Sequence, residues 1–237
     1  MGRLYIAFDD TDNLDSPGTG HLLEDFLQSL NVPRSFISRH QLFFSPLVPY
    51  TSHNSSMCAE IYGGIEYEEL IQKGSEYLET RLAPGADPGL CAADPERLSE
   101  PELLPVWGYR AKKEVLTKAD AYALAERCRV HLSEHGGTGQ GVVGALAAVG
   151  LRLAGQDGRV KGKKTVSRPV LTASELLEET GFQRAAAYGE GEIPGDSIIY
   201  AGDGPVKAVY QNFKSTVLTV RYRDGYRLLT KDLVKCY

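Results

Sequence analysis

The first twenty residues constrain the chain more than any other stretch. Arg3-Leu-Tyr-Ile-Ala-Phe8 is dominated by apolar and aromatic types and reads as a buried strand. It runs directly into Asp9-Asp-Thr-Asp-Asn-Leu-Asp-Ser-Pro-Gly-Thr-Gly20, which puts four carboxylates, Asp9, Asp10, Asp12 and Asp15, within seven positions. Beyond Gly20, residues Leu22, Leu23, Phe26, Leu27 and Leu30 have helical spacing. The acidic turn is therefore expected between the carboxyl end of a strand and the amino end of a helix, where open α/β sheets bind their ligands. Crowded carboxylates repel one another, and a hard cation such as Mg2+ relieves the repulsion. The bland alternative is a solvated capping turn, since Asp, Asn, Ser and Gly populate any loop. A doublet of Asp directly off an apolar strand is a poor choice for a mere turn. Asp9, Asp10 and Asp12 are accordingly the candidate catalytic residues and the candidate metal ligands.

Composition sets wide limits. A chain of 237 residues, 42% hydrophobic and 24% charged, is an ordinary globular one with room for one large domain or two small ones. No apolar run approaches the ~20 residues that span a bilayer, and no signal-peptide pattern opens the chain, so a cytoplasmic location is expected. Cys58, Cys91, Cys128 and Cys236 form no Cys-x-x-Cys pair, which points away from a zinc ribbon or a disulfide framework. The net charge of −5 argues against the chain as a whole binding polyanions, while leaving a local basic patch open.

Along the chain, the spacing predicts a helix over His21–Asn31. Strands are expected in Ser35–Ser45, with Phe36, Phe43 and Phe44 in the core, and in Ser56–Tyr62. A second helix follows from Tyr67 to Leu82. Ala83 to Pro105 carries five prolines and reads as a long irregular connection. A short strand is expected within Val106–Thr117, a helix over Lys118–Leu132, and another over Val142–Leu153 after a glycine-rich loop. A basic run, Arg159 to Lys164, comes before a change of texture near Ser167. From there a short helix, Ala173–Glu179, gives way to β-rich sequence with a hairpin closed by Arg223-Asp-Gly225. The fold class expected is α/β, an α+β mixed-sheet main body over residues 1–166 with a small β-rich carboxyl-terminal unit over 167–237.

The glycine loop, Gly136-Gly-Thr-Gly-Gln-Gly141, with Gly144 beyond it, formally matches the spacing of a dinucleotide site as Gly139-x-Gly141-x-x-Gly144. That fingerprint needs a strand immediately before it, and the sequence places a helix there. No Gly-Lys-Ser/Thr follows, so a P-loop is excluded. What remains is general: glycines let backbone amides approach an anion at a helix amino terminus. The competing reading is that Gly141, Gly144 and Gly150 allow close packing of an Ala-rich helix. Pro46 and Pro49 stiffen the loop that carries His53 and Asn54, polar groups able to face a nucleotide or a substrate. The run Arg159–Lys164 offers point charges for phosphates, and Thr172-x-x-Glu175 reads as a capping box.

Three stretches resemble, in the same order, the archaeal synthetase that attaches agmatine to a cytidine of isoleucine tRNA. They are Asp9-Asp-Thr-Asp12 with its Ser-Pro-Gly turn, the segment Phe44-Ser-Pro-Leu-Val-Pro-Tyr-Thr-Ser-His-Asn54, and Gly136 through Gly150. The second is similar to that family's Asn-Pro-x-x-Pro-Trp-Lys-Thr-Arg-Gly-Asn segment, with Thr51-Ser52-His53 where the family carries Lys and Arg. The resemblance covers roughly the first two-thirds of the chain. It implies a kinase-like part with a ferredoxin-like neighbour, binding ATP and Mg2+. Asp9, Asp10 and Asp12 would serve the metal and the chemistry, and Gly137, Thr138, Gly139 and Gly141 would cradle phosphates, with His53 and Asn54 nearby. The family's oligonucleotide-binding and zinc-ribbon parts have no counterpart, and its phosphate-accepting Thr has no clear match in Gly18-Thr-Gly-His21. A tRNA partner is thus one option beside a small nucleoside or amine. The activity expected is phosphoryl transfer or ATP-driven ligation. Two alternatives stand beside it. One is a haloacid-dehalogenase-type phosphatase built on Asp10-Thr-Asp12 with Asp196 and Asp203. The other is a nucleotide-sensing or RNA-contacting module without turnover.

Overall fold

The computed structural model describes residues 2–48, 54–229 and 234. It divides into two compact units, Met1–Ala154 and Gly155–Tyr237. The first unit is built on β1 (Leu4–Asp9), α1 (Thr19–Leu30), β2 (Ser38–Gln41), β3 (Ser55–Ile61), α2 (Tyr67–Glu79) and β4 (Gly89–Ala93). These strands lie in the order β4-β1-β3-β2, and every neighbouring pair is antiparallel. This is the split β-α-β arrangement of ferredoxin-like folds. Three further helices, α3 (Leu103–Ala111), α4 (Lys118–Cys128) and α5 (Gly141–Ala154), follow, and β5 (His131–Glu134) adds to the edge beside β4.

Alternation along β1 explains why its whole length is apolar. Leu4, Ile6 and Phe8 point to one face, where they pack with Phe26 and Leu27 of α1 and Leu70 and Leu78 of α2. Tyr5 and Ala7 point to the other, beneath Val142, Leu146 and Val149 of α5 and Trp107 of α3. A sheet covered on both faces needs continuous apolar strands, and β1, β3 and β4 are buried throughout.

Several sequence expectations change. Ala83–Pro105 is not one irregular connection, because β4 runs through it and pairs with β1. Pro84 and Pro88 precede Gly89-Leu-Cys-Ala-Ala93 and Pro95 follows it, so no proline interrupts the ladder. The strand expected in Val106–Thr117 is instead helix α3. Its Pro105 falls in the first turn, where a missing N–H breaks no helical bond. Helix α4 stops at Cys128, since Arg129 takes the left-handed conformation at φ 57°, and His131–Glu134 becomes a strand. The core of the β2 region is Ile37 and Leu42, while Phe44 is exposed and Phe36 and Phe43 are half-buried.

In the second unit, β6 (Arg159–Val160), β7 (Val170–Thr172), α6 (Ala173–Thr180), β8 (Arg184–Ala187), β9 (Gly191–Glu192), β10 (Ile198–Tyr200), β11 (Val209–Gln211), β12 (Lys214–Tyr222) and β13 (Gly225–Leu228) follow in order. Strand β12 is the hub, antiparallel to β11 and β13 and parallel to β8. Thr172 and Glu175 form the capping box of α6. Among the described residues, no helix is long and apolar enough to cross a membrane.

One buried charge ties α5 to the sheet. Arg152, 1% exposed at its side chain, donates from Nε to Glu60 Oε1 at 3.0 Å and from a terminal nitrogen to Ser35 Oγ at 2.9 Å. Its guanidinium lies 4.4 Å from the Phe36 ring centre. Removing one partner of a buried pair strands the other charge, at a cost of about 3–5 kcal/mol. Glu60→Ala is therefore expected to lose about that much in urea unfolding, with little dependence on salt. A loss under about 1 kcal/mol would show that the pair contributes no more than an exposed one.

Candidate functional site

The acidic turn is built as the strand–turn–helix pattern dictates. Strand β1 ends at Asp9, and Asp10 reverses the chain in the left-handed region at φ 52°, a conformation that Asp and Asn tolerate better than other side-chain-bearing residues. Helix α1 has no side-chain cap at Gly18. Asp12 supplies one from a distance: its Oδ1 accepts the Thr19 amide at 3.3 Å and the Thr19 hydroxyl at 2.8 Å. The helix amino terminus in turn favours a negative charge at Asp12. Thr11 Oγ1 donates to Thr19 Oγ1 at 3.1 Å, closing the turn on itself. Asp15 is exposed, bonds through its own amide to Asn13, and stays out of the site.

The fourth carboxylate is Asp87, just before β4, which sequence reasoning missed. Its N–H donates to Asp10 O at 3.1 Å, and its carbonyl accepts the Gly141 amide at 3.0 Å. Its carboxylate accepts both the amide and the hydroxyl of Thr138, the latter at 2.9 Å. A side chain at Gly137, where φ is 54°, would overlap that carboxylate. On the far side, Lys118 Nζ donates to Thr138 O at 2.6 Å and to Glu134 Oε2 at 2.8 Å. The glycine loop is thus clamped from both flanks. The signal for Asp87 was its place before Pro88, hidden by reading the whole stretch as irregular.

Helix α5 closes over the acidic turn. Any side chain at Gly144 would collide with the Asp9 carboxyl, and any at Gly141 with the backbone of β4 and β1. Both glycines therefore have a packing reason. Burial, and then the charges of Asp10 and Asp12, hold the Asp9 carboxyl well above the usual aspartate range. Asp10 is raised to about 6, first by burial and then by Asp87 and Asp12.

These groups face a cavity of about 550 Å3. Asp9, Asp10, Asp12 and Thr19 line its acidic side. Leu42, Phe43, Val115, Leu116 and Val143 line an apolar wall, and Asn54, Thr138, Gln140, Gly141 and Gly144, with Glu114 and Lys118, are among the rest of the lining. Of the residues singled out by sequence, Asp9, Asp10, Asp12, Asn54, Thr138 and Gly141 come together. Gly137 and Gly139 shape the loop behind the lining. Asn54 also staples its own loop, donating to Phe43 O at 2.7 Å. His53 lies outside the described residues. The helix that the sequence placed before the glycine loop is replaced by β5, so a strand–loop–helix unit does exist, but its strand is antiparallel to β4 rather than part of a parallel sheet. Asp196 and Asp203 are exposed residues of the second unit and take no part in the lining. Among the described residues, no three His, Cys, Asp or Glu side chains are gathered so as to hold a metal ion as they stand.

A cavity of this size, acidic at the end of a sheet strand and apolar opposite, is of the class that takes a small molecule with a charged end and a flat apolar end. The chain matches no family model and no curated protein. Among solved structures, TiaS, the agmatidine synthetase of an isoleucine tRNA, is similar in its apo form at 21% identity and TM-score 0.54, over 72% of this chain and 38% of that one. TiaS bound to its tRNA and ATP is similar at 20% identity and TM-score 0.56, over 71% and 40%. TiaS with tRNA, AMPCPP and agmatine is similar at 18% identity and TM-score 0.55, over 75% and 44%. The chain spans less than half the length of these proteins. The likeness is one of fold.

The raised Asp10 carries a sign for stability. A carboxyl whose folded value lies above its ordinary 3.8 contributes fully below that pH, and the contribution is lost as pH rises through about 6. Asp9 acts in the same direction. With chelator present, the melting temperature is expected to fall between pH 4 and 7. Asp10→Asn, which keeps the left-handed turn, should fall less steeply and melt higher at pH 7. Identical slopes for both proteins would place Asp10 in an ordinary solvated setting.

Proposed function

We propose that the first unit is an ATP-binding, Mg2+-dependent catalyst that transfers a phosphoryl group, or uses one to activate a ligation, toward a nucleoside or small amine. The observation that carries this is the buried Asp9 carboxyl beside the half-buried Asp10 carboxyl at the end of β1, mutually repelling and facing a nucleotide-sized cavity with an apolar wall. Leu42, Phe43, Val115 and Leu116 suit a base, and the acidic end suits a cation shared with phosphates.

The donor set fits Mg2+. It offers hard oxygens, and carboxyls raised by their own crowding are those that gain most from a cation. Mg2+ commonly takes one or two carboxylates and completes its shell with phosphate oxygens and water, so a site without three gathered protein ligands suits it. Asp9, Asp10 and Asp12 are the carboxylates of which one or two would hold it directly, and when bound it would neutralise charge on a triphosphate. This chain's own residues supply the rest. Thr138 and Gln140 mark the phosphate side at the start of α5, whose dipole favours an anion. The Gly141 amide there is already committed to Asp87. A carboxylate of this group left unbound by the cation would accept a proton from an attacking hydroxyl or amine. Positioning and charge neutralisation are what phosphoryl transfer chiefly needs. The solved proteins of like fold, described as complexes of a tRNA-modifying synthetase with ATP or AMPCPP, support the nucleotide assignment.

ATP with Mg2+ at ~100 times its dissociation constant is expected to stabilise the unit by about 2.7 kcal/mol, visible as several degrees in melting temperature. No shift with saturating ATP, GTP or CTP plus Mg2+ would remove the nucleotide reading. Asp10→Asn should stay folded and lose Mg2+-dependent turnover by at least about a hundredfold. Wild-type turnover at limiting Mg2+ would rule Asp10 out as a ligand.

A further inference from the structure

The two units carry opposite charge. Residues 1–154 hold 13 Lys and Arg against 21 Asp and Glu, a net −8, whereas residues 155–237 hold 13 against 10, a net +3. The acidic total of the chain conceals a basic second unit.

Part of that charge sits on one sheet face among tyrosines. Strand register sets Val220, Arg227, Tyr200 and Val170 side by side across β12, β13, β10 and β7. Tyr222, two residues beyond Val220, shares their face. It is paired with Gly225, which lacks a side chain because a Cβ there would overlap Ile198. The rings of Tyr200 and Tyr222 meet edge-on with centres 5.2 Å apart. The Arg223 guanidinium lies 5.1 Å from the Tyr222 ring centre and 5.5 Å from that of Tyr200, and Arg227 lies 5.5 Å from Tyr222. Arg223 and Arg227 are exposed, the tyrosines are half-exposed, and Val170 is 45% exposed. Among the described residues one acid touches the group: Asp224 accepts the Tyr200 hydroxyl at 2.6 Å and so fixes that ring. Val220, at the inner end of this face, packs against a buried cluster of this unit, whereas Val170, Tyr200, Tyr222, Arg223 and Arg227 are not part of it.

Rings half-open to water with exposed guanidinium groups lying over them form a mixed aromatic and cationic stacking surface. Every nucleobase has a face that such rings accept, and arginine serves both the base plane and the phosphate. We propose that this face binds a single-stranded polynucleotide, with unpaired bases on Tyr200 and Tyr222 and phosphates on Arg223 and Arg227. The assignment needs neither ATP nor Mg2+ and does not rest on the function proposed for the first unit. It names the partner that the net charge of the whole chain argues against.

The test is fluorescence anisotropy of the full chain with an unpaired pyrimidine RNA of about 12 nucleotides, in chelator at low salt. Wild type is expected to bind, with affinity falling as salt rises. Arg223→Gln and Tyr222→Leu should each weaken binding by about tenfold. Arg221→Gln removes an equal charge from the opposite face, where Arg221 pairs with Glu190, and should change little. If Tyr222→Leu fails to fold by circular dichroism, Arg223→Gln, at an exposed turn, carries the comparison. No binding at low salt would overturn the proposal. So would equal weakening by Arg221→Gln and Arg223→Gln, or a duplex or poly-glutamate that competes as well as the unpaired strand. Because ATP is absent throughout, failure here leaves the melting response to ATP as a separate result.

Discussion

The structure of the first unit depends on placing ionisable oxygens where water is scarce. Asp9 ends a strand that is apolar on both faces, and α5 lies across it at a distance that only a glycine at position 144 permits. Burial alone makes its charged form costly, and Asp10 and Asp12 add to the cost. The neighbourhood answers in part. Asp12 is bonded at the start of α1, and Asp10 turns away in a left-handed conformation. The remaining repulsion is stored at the end of β1. A strand pinned between β3 and β4 cannot relax by moving its end, so relief must come from a proton or a cation.

That constraint was legible where residue type and backbone need coincide. The run Arg3–Phe8, the acidic turn and the spacing of Leu23, Phe26 and Leu27 allowed one sensible strand–turn–helix, and the structure has it. The Thr172–Glu175 box and the Arg223-Asp-Gly225 turn were equally local, each set by hydrogen bonds between near neighbours. The glycines of α5 were ambiguous by nature. A glycine that lets an anion approach looks the same in sequence as one that lets a helix approach, and at Gly144 the neighbour is a carboxyl of the chain itself.

What sequence concealed was non-local. Gly89-Leu-Cys-Ala-Ala93 is a strand because β1 and β5 lie beside it, not through any propensity of its own, and the prolines around it masked the run. His131–Glu134 reads as the tail of a helix until Arg129 breaks it in a left-handed conformation that favours Gly or Asn. Asp87 belongs to the site only because β4 delivers it there. Losing one strand from the reading removed the fourth carboxylate from the site and put a helix in front of the glycine loop.

The clamp on that loop ties anion and cation together. Thr138 gives its amide and hydroxyl to Asp87, and Gly141 gives its amide to the same residue's carbonyl, so these donors are already engaged. An anion approaching the start of α5 meets the fields of Asp10, Asp12 and Asp87 as well as that of Lys118, whose ammonium is bonded to Glu134 and to Thr138 O. The amino-terminal dipole of α5 is worth at most ~2 kcal/mol, less than the repulsion of several carboxylates at short range in a partly dry cavity. Bare triphosphate should therefore bind this site poorly. A divalent cation bound by Asp10 and Asp12 would cancel their two charges and leave an approaching triphosphate far less repelled. On the nucleotide reading, the two ligands must then enter as a unit. Affinity for each would depend on the other through the same carboxylates, and Asp87 would set how far the glycine loop must yield.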